Sequence, residues 1–125
     1  MTGPHNGDIL TLCDKVRETS FEIYKYLRSG QIYENALVHR LRKLGIQVQQ
    51  QHALRVYDED GTLLGFLRAD LLIENQLICE IKGCRVLLDE HKAQLIGYLR
   101  ASRIEHGLLI NCGGPRFEIR KYIVN

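Results

Sequence analysis

Apolar residues recur every three or four positions in the first third of the chain, a spacing that predicts amphipathic helices. From residue 8 to residue 27 this stripe comprises Ile9, Leu12, Cys13, Val16, Ile23, Tyr24 and Leu27. Residues 28–30 interrupt it, and a second stripe of Tyr33, Leu37, Leu41 and Leu44 follows. Gly45 closes the second stripe, because glycine tolerates the left-handed conformation of a helix cap. The chain is therefore expected to open with two helices or one broken helix.

After Gly45 the apolar positions alternate with polar ones, a period of two that predicts β-strands. The first strand covers about residues 46–56 and ends at a turn, DEDG, at residues 58–61. The returning strand runs from residue 62 to about residue 73, and a tight turn at 74–76 leads into a strand at 77–82. Three strands joined by short turns are expected to form an antiparallel meander.

The last third of the chain predicts one more helix and two more strands. Asp89 is placed to cap a helix whose apolar residues are Ala93, Leu95, Ile96, Leu99 and Ala101. Strands are expected at residues 107–111 and 117–124, separated by CGGP. The order helix, three strands, helix, two strands indicates an α/β fold, and a chain of 125 residues has room for one domain, residues 1–125.

Composition narrows the class of protein. Hydrophobic residues make up 45% and charged residues 26%, as in ordinary globular proteins, and the net charge is only +2. Nucleic-acid binding would therefore depend on local clusters of basic residues. The four cysteines lack CxxC spacing, and no Cys or His pair has the interval of a zinc finger, so reduced thiols in a cytoplasmic protein are expected. No apolar stretch approaches the ~20 residues of a membrane span, and MTGPHNG at the start lacks the features of a targeting signal.

Three charged residues, Asp70, Glu80 and Lys82, interrupt the most apolar part of the chain. Burying a carboxylate without a partner is costly, so these groups need either one another or a ligand. Alternate residues of a strand share a face, which puts Glu80 and Lys82 on one side and Cys79 on the other. The turn at 74–76 is expected to bring Asp70 alongside Glu80.

Two carboxylates and an ammonium group at one place suit a hard divalent cation, Mg²⁺ or Mn²⁺. Asp70, Glu80 and the backbone carbonyl of Ile81 are the expected metal ligands. Lys82 would contact the attacking water or the charge that develops on the phosphorus centre. The alternative is a buried structural ion pair, or strand charges that reach solvent at the edge of the sheet.

Longer motifs carry a resemblance to a known family. Asp70, nine intervening residues and Glu80-Ile81-Lys82 match the PD-(D/E)XK nuclease signature, and QLIGY, residues 94–98, looks like the QxxxY motif of its RecB-like and Cas4-like branches. The strings YENAL, RADLL, EIK, HKAQLIGYL and GLLINCG, at 33–37, 68–72, 80–82, 91–99 and 107–113, are similar to those of the GxxExxY proteins. The resemblance covers the chain from about residue 22 onward and implies helices packed on a mixed central sheet, as in restriction endonucleases.

The chain departs from the GxxExxY pattern at Gly30, which stands where the family has its glutamate. In related nucleases an acidic residue on the first helix helps to hold the metal. Glu34, one residue past Tyr33, is a candidate replacement ligand. The alternative is a solvated glutamate in the first helical turn, favoured there by the helix dipole.

On the helix after the motif, His91, Gln94 and Tyr98 share one face. Gln94 is a candidate to hold a metal-bound water or a phosphate, and Tyr98 to stack or hydrogen-bond at the edge of the site. The alternatives are a Gln94 that satisfies the backbone at a strand end and a Tyr98 that packs in the core. For His91 a structural role is expected.

Basic residues cluster on the second helix, beside Asp70 and after the motif helix. The candidate nucleic-acid contacts are Arg68, Arg40, Lys43 and Arg100. Such groups follow a phosphate backbone in some proteins and form a solvated face in others. No aromatic-rich element for reading bases is evident, so little sequence specificity is expected.

These observations together lead us to expect a Mg²⁺- or Mn²⁺-dependent nuclease acting on DNA, with RNA as the alternative substrate. One rival is a catalytically weakened or inactive nucleic-acid-binding module, which the loss of the family glutamate at Gly30 favours. A second rival is a homodimeric, structure-specific junction endonuclease, because a domain of this size offers little surface to grip a substrate alone.

Overall fold

The computed structural model describes residues 8–28 and 30–125 and contains three helices and five strands in that part of the chain. The helices are α1 (Ile9–Tyr24), α2 (Gly30–Lys43) and α3 (Asp89–Ser102), and the strands are β1 (Val48–Tyr57), β2 (Leu63–Ile73), β3 (Leu77–Lys82), β4 (His106–Asn111) and β5 (Glu118–Ile123). The order of elements is as predicted, and the chain opens with two helices. The MTGPHNG segment lies outside the described residues, and the assignment of residues 1–125 to one domain stays a prediction.

The five strands form one mixed sheet in the order β1-β2-β3-β4-β5. Neighbouring strands run antiparallel except β3 and β4, which run parallel. A parallel pair needs a crossover connection, and α3 supplies it. Glu74 and Asn75 have φ of +53° and +56°, the twist of the tight turn that joins β2 to β3. The predicted meander of three antiparallel strands is confirmed.

Helices cover both faces of the sheet. Helices α1 and α2 pack on one face against a core that includes Leu71, Ile73 and Cys79, while α3 packs on the other against Ile78 and Leu109. Cys79 therefore lies on the face covered by α1 and α2, and the adjacent Ile78 on the face covered by α3, as the alternation along β3 predicted. This arrangement, with α2 and α3 on opposite faces of β2 and β3, brings side chains from both helices to the middle of the sheet.

The ends of the elements differ from the predictions in ways that backbone hydrogen bonds explain. Gly45 has φ of +81° and caps α2 as expected, but the N–H of Ile46 also closes that helix on the carbonyl of Leu41, so β1 begins at Val48. The prediction that Asp89 caps α3 is wrong, because Asp89 is already helical and Leu88 is the cap residue.

His91 has the structural role expected of it. Its Nδ1 accepts a hydrogen bond from the N–H of Leu88 at 3.0 Å, so this backbone N–H at the start of α3 has a partner. The four cysteines are unpaired. In residues 8–28 and 30–125, no helix combines the length and the apolar composition needed to cross a membrane.

Candidate active site

Strands β2 and β3 separate at the position of Asp70 and Glu80. Their regular pairing ends with Leu71 opposite Cys79, and the next pair in register would be Asp70 and Glu80. There the N–H of Asp70 donates to Glu80 Oε2 at 2.7 Å, and the N–H of Ile81 donates to Asp70 Oδ2 at 2.8 Å. Side chains have thus replaced backbone partners, and both carboxylates are held between the strands.

Glu34 reaches the same place from α2. Glu34, Leu37 and Leu41 lie on the inward face of that helix, and the Glu34 side chain is only 5% exposed. Its Oε2 accepts a hydrogen bond from Gln50 Nε2 at 2.7 Å. The interpretation of Glu34 as a solvated glutamate is wrong, because the residue lies beyond the first turn and faces the sheet.

Gln51 connects Glu34 to Asp70. Its Nε2 donates to Asp70 Oδ1 at 3.1 Å and to Glu34 Oε2 at 3.1 Å. Glu34, Asp70 and Glu80 therefore form one connected set, which we call the carboxylate cluster. Gln51 was not among the residues expected at the site. The signal available was the run of glutamines at residues 49–51, which breaks the alternation of apolar and polar residues in β1.

Burial dominates the electrostatics of Glu80, which is 3% exposed. Burial and the adjacent negative charge of Asp70 raise the pKa of Glu80 to about 7, and Glu34 acts in the same direction. The N–H of Asp70 and the ammonium group of Lys82 lower the pKa but do not offset the increase. Near neutral pH the protonated and the charged forms of Glu80 are therefore both populated.

Lys82 is tied to α3 rather than to the carboxylate cluster. Its Nζ donates to Gln94 Oε1 at 2.7 Å, and Gln94 Nε2 donates to the Tyr98 hydroxyl at 3.3 Å. Burial raises the pKa of Tyr98, and the charges of Glu80 and Asp70 raise it further, so the phenol stays protonated. The expected roles of Gln94 and Tyr98 toward water, phosphate or substrate stay predictions. Two consecutive hydrogen bonds, from Lys82 to Gln94 and from Gln94 to Tyr98, fix the position of the lysine.

The backbone beyond Lys82 packs against two other segments. A Cβ placed at Gly113 would lie 2.5 Å from the carbonyl carbon of Gly83, so the loops after β3 and β4 meet backbone to backbone and leave no room for a side chain there. Gly83 also faces Gly30, since a Cβ at Gly83 would be 3.8 Å from the Gly30 Cα. Gly30, the position at which the GxxExxY pattern has a glutamate, is thus next to the end of β3.

The four predicted nucleic-acid contacts occupy different parts of the surface. Arg68 is exposed and its Nη1 donates to the carbonyl of Gln51 at 3.3 Å, which places it beside the carboxylate cluster. Arg40 lies over the ring of Tyr26, in the last turn of α2 together with Lys43. Arg100 is exposed in the last turn of α3. Their contacts with nucleic acid stay predictions, and Arg68 is the one bonded to a residue of the site.

The chemistry of the carboxylate cluster fits a hard divalent cation, because its donors are carboxylate oxygens and a backbone carbonyl lies next to them at Ile81. Within the described part of the chain, however, no three Asp, Glu, His or Cys side chains are grouped closely enough to hold an ion without moving. The amide of Gln51 lies between two of the carboxylates. An ion could therefore bind here only if side chains moved.

Comparison with known proteins places the chain in a family. No protein of curated function matches the sequence significantly. The crystal structure of SSO0001 is similar to this one, with a TM-score of 0.58 and 27% sequence identity, over 75% of this chain and 50% of that chain. This chain thus spans about half the length of SSO0001. The sequence model of the PD-(D/E)XK nuclease superfamily, whose members typically use divalent metals, matches residues 11–122. The chain therefore belongs to the PD-(D/E)XK nuclease superfamily.

Proposed function

We propose that this protein is a Mg²⁺- or Mn²⁺-dependent nuclease that hydrolyses phosphodiester bonds of DNA with little sequence specificity. The observation that carries the proposal is the carboxylate cluster between β2 and β3, with Lys82 fixed beside it by Gln94. Membership of the superfamily supports a nuclease-type function. The five matching motifs support an assignment to the GxxExxY branch, near the nucleases with a QxxxY motif.

In this proposal Asp70, Glu80, Glu34 and the carbonyl of Ile81 hold the metal. A divalent cation bound there supplies the positive charge that polarises a phosphodiester and makes a water molecule acidic enough to attack it. Glu34 and Glu80 contribute negative charge in a buried place, where attraction for a cation is much stronger than at the surface. The hydrogen bonds from the Asp70 and Ile81 N–H groups keep the two strand carboxylates in fixed orientations.

Lys82 is proposed to stabilise the charge that develops on the phosphate oxygens. An ammonium group has three N–H donors, and Gln94 uses one of them, which leaves donors for the substrate or for the attacking water. Tyr98 holds the Gln94 amide so that its oxygen faces the lysine. Arg68, beside the cluster, is the proposed contact for the phosphate backbone, with Arg40, Lys43 and Arg100 as more distant contacts.

The test is a cleavage assay on labelled single-stranded DNA, duplex DNA, branched DNA and single-stranded RNA, with Mg²⁺, Mn²⁺ or a chelator. We expect cleavage of DNA with either metal and none with chelator. A Lys82→Met variant purified in the same way controls for contaminating nucleases. Cleavage by this variant at the rate of the natural protein would contradict the proposal.

An inactive DNA-binding module is the second candidate, favoured by Gly30 in place of the family glutamate. The buried position of Glu34 supports the active alternative, since α2 still provides a carboxylate. A Cβ at Gly30 meets nothing within 4 Å, so Gly30→Glu is compatible with the fold. Cleavage by Gly30→Glu but not by the natural sequence would identify the natural protein as the inactive form.

The homodimeric junction endonuclease and the cytoplasmic location also stay proposals. Leu63, Leu64 and Phe66, near the turn between β1 and β2, are exposed apolar residues available for contact between two copies. Sedimentation of the pure protein decides the oligomeric state, and the branched-DNA arm of the assay decides the preference for junctions.

A further inference from the structure

The side chain of Gln51 lies between two carboxylates that the proposed metal needs, those of Glu34 and Asp70. Its Nε2 is 3.1 Å from Asp70 Oδ1, 3.1 Å from Glu34 Oε2 and 3.2 Å from Glu34 Oε1. An amide –NH₂ group has only two N–H bonds and no acceptor, so both of its hydrogens are directed to the carboxylates. A metal ion that joins Asp70 to Glu34 would have to lie close to the position of this nitrogen.

The backbone of Gln51 is adapted to this placement. Its φ is +50°, in the left-handed region that a non-glycine residue rarely enters, while Gln50 and His52 on either side pair regularly with Leu71 and Ala69 of β2. One residue in the middle of a strand therefore departs from the extended conformation. Such a conformation costs energy and persists only where the surrounding structure holds it in place. Residues of this kind are concentrated at functional sites.

We infer that, in the metal-free protein, Gln51 occupies the position of the ion that Glu34 and Asp70 bind together, and that metal binding displaces its side chain. This inference rests on the proposed function and concerns the same site. Mg²⁺ lies about 2.1 Å from its oxygen ligands, so the two carboxylates need to close in by about 1 Å around an ion at this point. The amide nitrogen cannot remain there, since it is not a metal ligand.

Two consequences distinguish Gln51 from a residue that merely fills space. In the metal-free state it provides hydrogen bonds to two negatively charged groups that otherwise repel each other across a small gap. In the metal-bound state those hydrogen bonds are lost. Gln51 therefore stabilises the metal-free fold and weakens metal binding by the same interaction.

The experiment is a calorimetric titration of Mn²⁺ into the metal-free protein, without DNA, in the natural sequence and in Gln51→Ala and Gln51→Gly. We expect both variants to bind Mn²⁺ about tenfold more tightly, the size of one net hydrogen bond to a charged group. Gln51→Gly suits φ of +50° and keeps the test valid if Gln51→Ala does not fold. The metal-free melting temperature of Gln51→Ala should fall.

Gln50→Ala is the matched control, because Gln50 donates to Glu34 and to Asn35 but has no hydrogen bond to Asp70. Its Mn²⁺ affinity should not increase. Equal or weaker Mn²⁺ binding by the Gln51 variants would overturn this inference and leave the proposed function standing. If neither the natural protein nor any variant binds Mn²⁺, the inference and the proposed metal dependence both fail.

Discussion

At the scale of single residues, Glu34 is a buried carboxylate whose hydrogen-bond partners are neutral amides. Gln50 and Gln51 satisfy its oxygens without cancelling its charge. Glu80 is in a similar position, since the group that bonds to its Oε2 is a backbone N–H. Carboxylates that keep their hydrogen bonds but lack a bonded cation attract a positive ligand. This is the physical basis for proposing that they bind a metal rather than form a structural ion pair.

For Glu34, the prediction is that Glu34→Gln weakens Mn²⁺ binding by about tenfold or more, because it removes one charged oxygen ligand from a buried site. The volume is kept, but both oxygens of Glu34 accept N–H bonds from glutamine side chains, so an –NH₂ group in place of one oxygen should also lower the metal-free melting temperature. Calorimetric titration measures the affinity. Glu90→Gln, at an exposed glutamate in the first turn of α3, is the control. A Glu34→Gln protein that binds Mn²⁺ as the natural protein does would exclude Glu34 as a ligand.

The raised pKa of Glu80 predicts a pH dependence of stability. The ordinary pKa of 4.5 becomes about 7 in the folded protein, so between these values the folded state keeps a proton that the unfolded state releases. Stability contributed by protonated Glu80 is complete below pH 4.5 and is lost as the pH rises to about 7. The amount lost is roughly 3 kcal/mol.

Glu80→Gln isolates this effect, since glutamine does not titrate and its oxygen can still accept the N–H of Asp70. We expect the metal-free melting temperature of the natural protein, measured relative to Glu80→Gln, to fall between pH 5 and pH 7 and then to level off. The two proteins should melt alike at the acid end. Parallel melting curves across this range would show that Glu80 has its ordinary pKa.

At the scale of the elements, the two carboxylates at the separation of β2 from β3 differ in how many of their oxygens accept hydrogen bonds. Asp70 uses both oxygens, Oδ1 for Gln51 and Oδ2 for the N–H of Ile81. Asparagine would point its –NH₂ at one of these donors. We therefore expect Asp70→Asn to lower the free energy of unfolding by about 1–3 kcal/mol, whereas Glu80→Gln should not lower it. Urea unfolding of the metal-free proteins measures both, and equal stability of the two variants would contradict the prediction.

The link between β3 and α3 predicts the behaviour of Lys82 and Gln94. Lys82→Met should lower kcat by about a hundredfold or more, because the positive charge acts on the transition state. Gln94→Leu should lower kcat by about tenfold with little change in KM, because the lysine stays but is no longer held.

Steady-state cleavage of a labelled DNA substrate separates these effects. Lys92→Met, at an exposed lysine of the same helix, should behave as the natural protein does. Gln94→Glu keeps an oxygen opposite Lys82 and should recover part of the activity lost in Gln94→Leu. A Gln94→Leu variant that loses substrate affinity and keeps kcat would instead assign Gln94 to substrate binding.

The sequence predicted those parts of the molecule that depend on periodicity. Alternation along β3 was enough to separate Cys79 from Glu80, and the turn at 74–76 was enough to place Asp70 near Glu80. Gln51 was not placed in this way, because the run of glutamines at residues 49–51 interrupts the alternation without showing which of them adopts the left-handed conformation and reaches the carboxylates. The start of α3 was missed because its cap residue, Leu88, is apolar and carries no capping signal, while the side chain that accepts the Leu88 N–H is that of His91, three residues later.

At the scale of the whole molecule, the candidate basic contacts are carried by three different elements, α2, β2 and α3. Arg40 and Lys43 are at the far end of α2 from Glu34, about two turns along the helix. Arg68 is on β2 beside the carboxylate cluster. Because the net charge is only +2, the position of each basic residue should matter more for DNA binding than the total number of charges.

We therefore expect Arg68→Ala to weaken DNA binding and to reduce the slope of log affinity against log salt by about 1. Lys43→Ala serves as the matched control and should have a smaller effect. Both are measured by fluorescence anisotropy at several salt concentrations in the presence of chelator, so that no cleavage occurs. The reverse order of the two effects would place the DNA path along α2.

The hydrogen bonds that join β2 to β3 through Asp70 and Glu80 also bear on how such a protein would change during evolution. A lineage that no longer needed to cut DNA would still need acceptor oxygens at these two positions, because the sheet closes through them. Lys82 does not join the strands in this way, since its hydrogen bond is to the exposed side chain of Gln94. The lysine should therefore be the first of the three to change once selection on catalysis is relaxed.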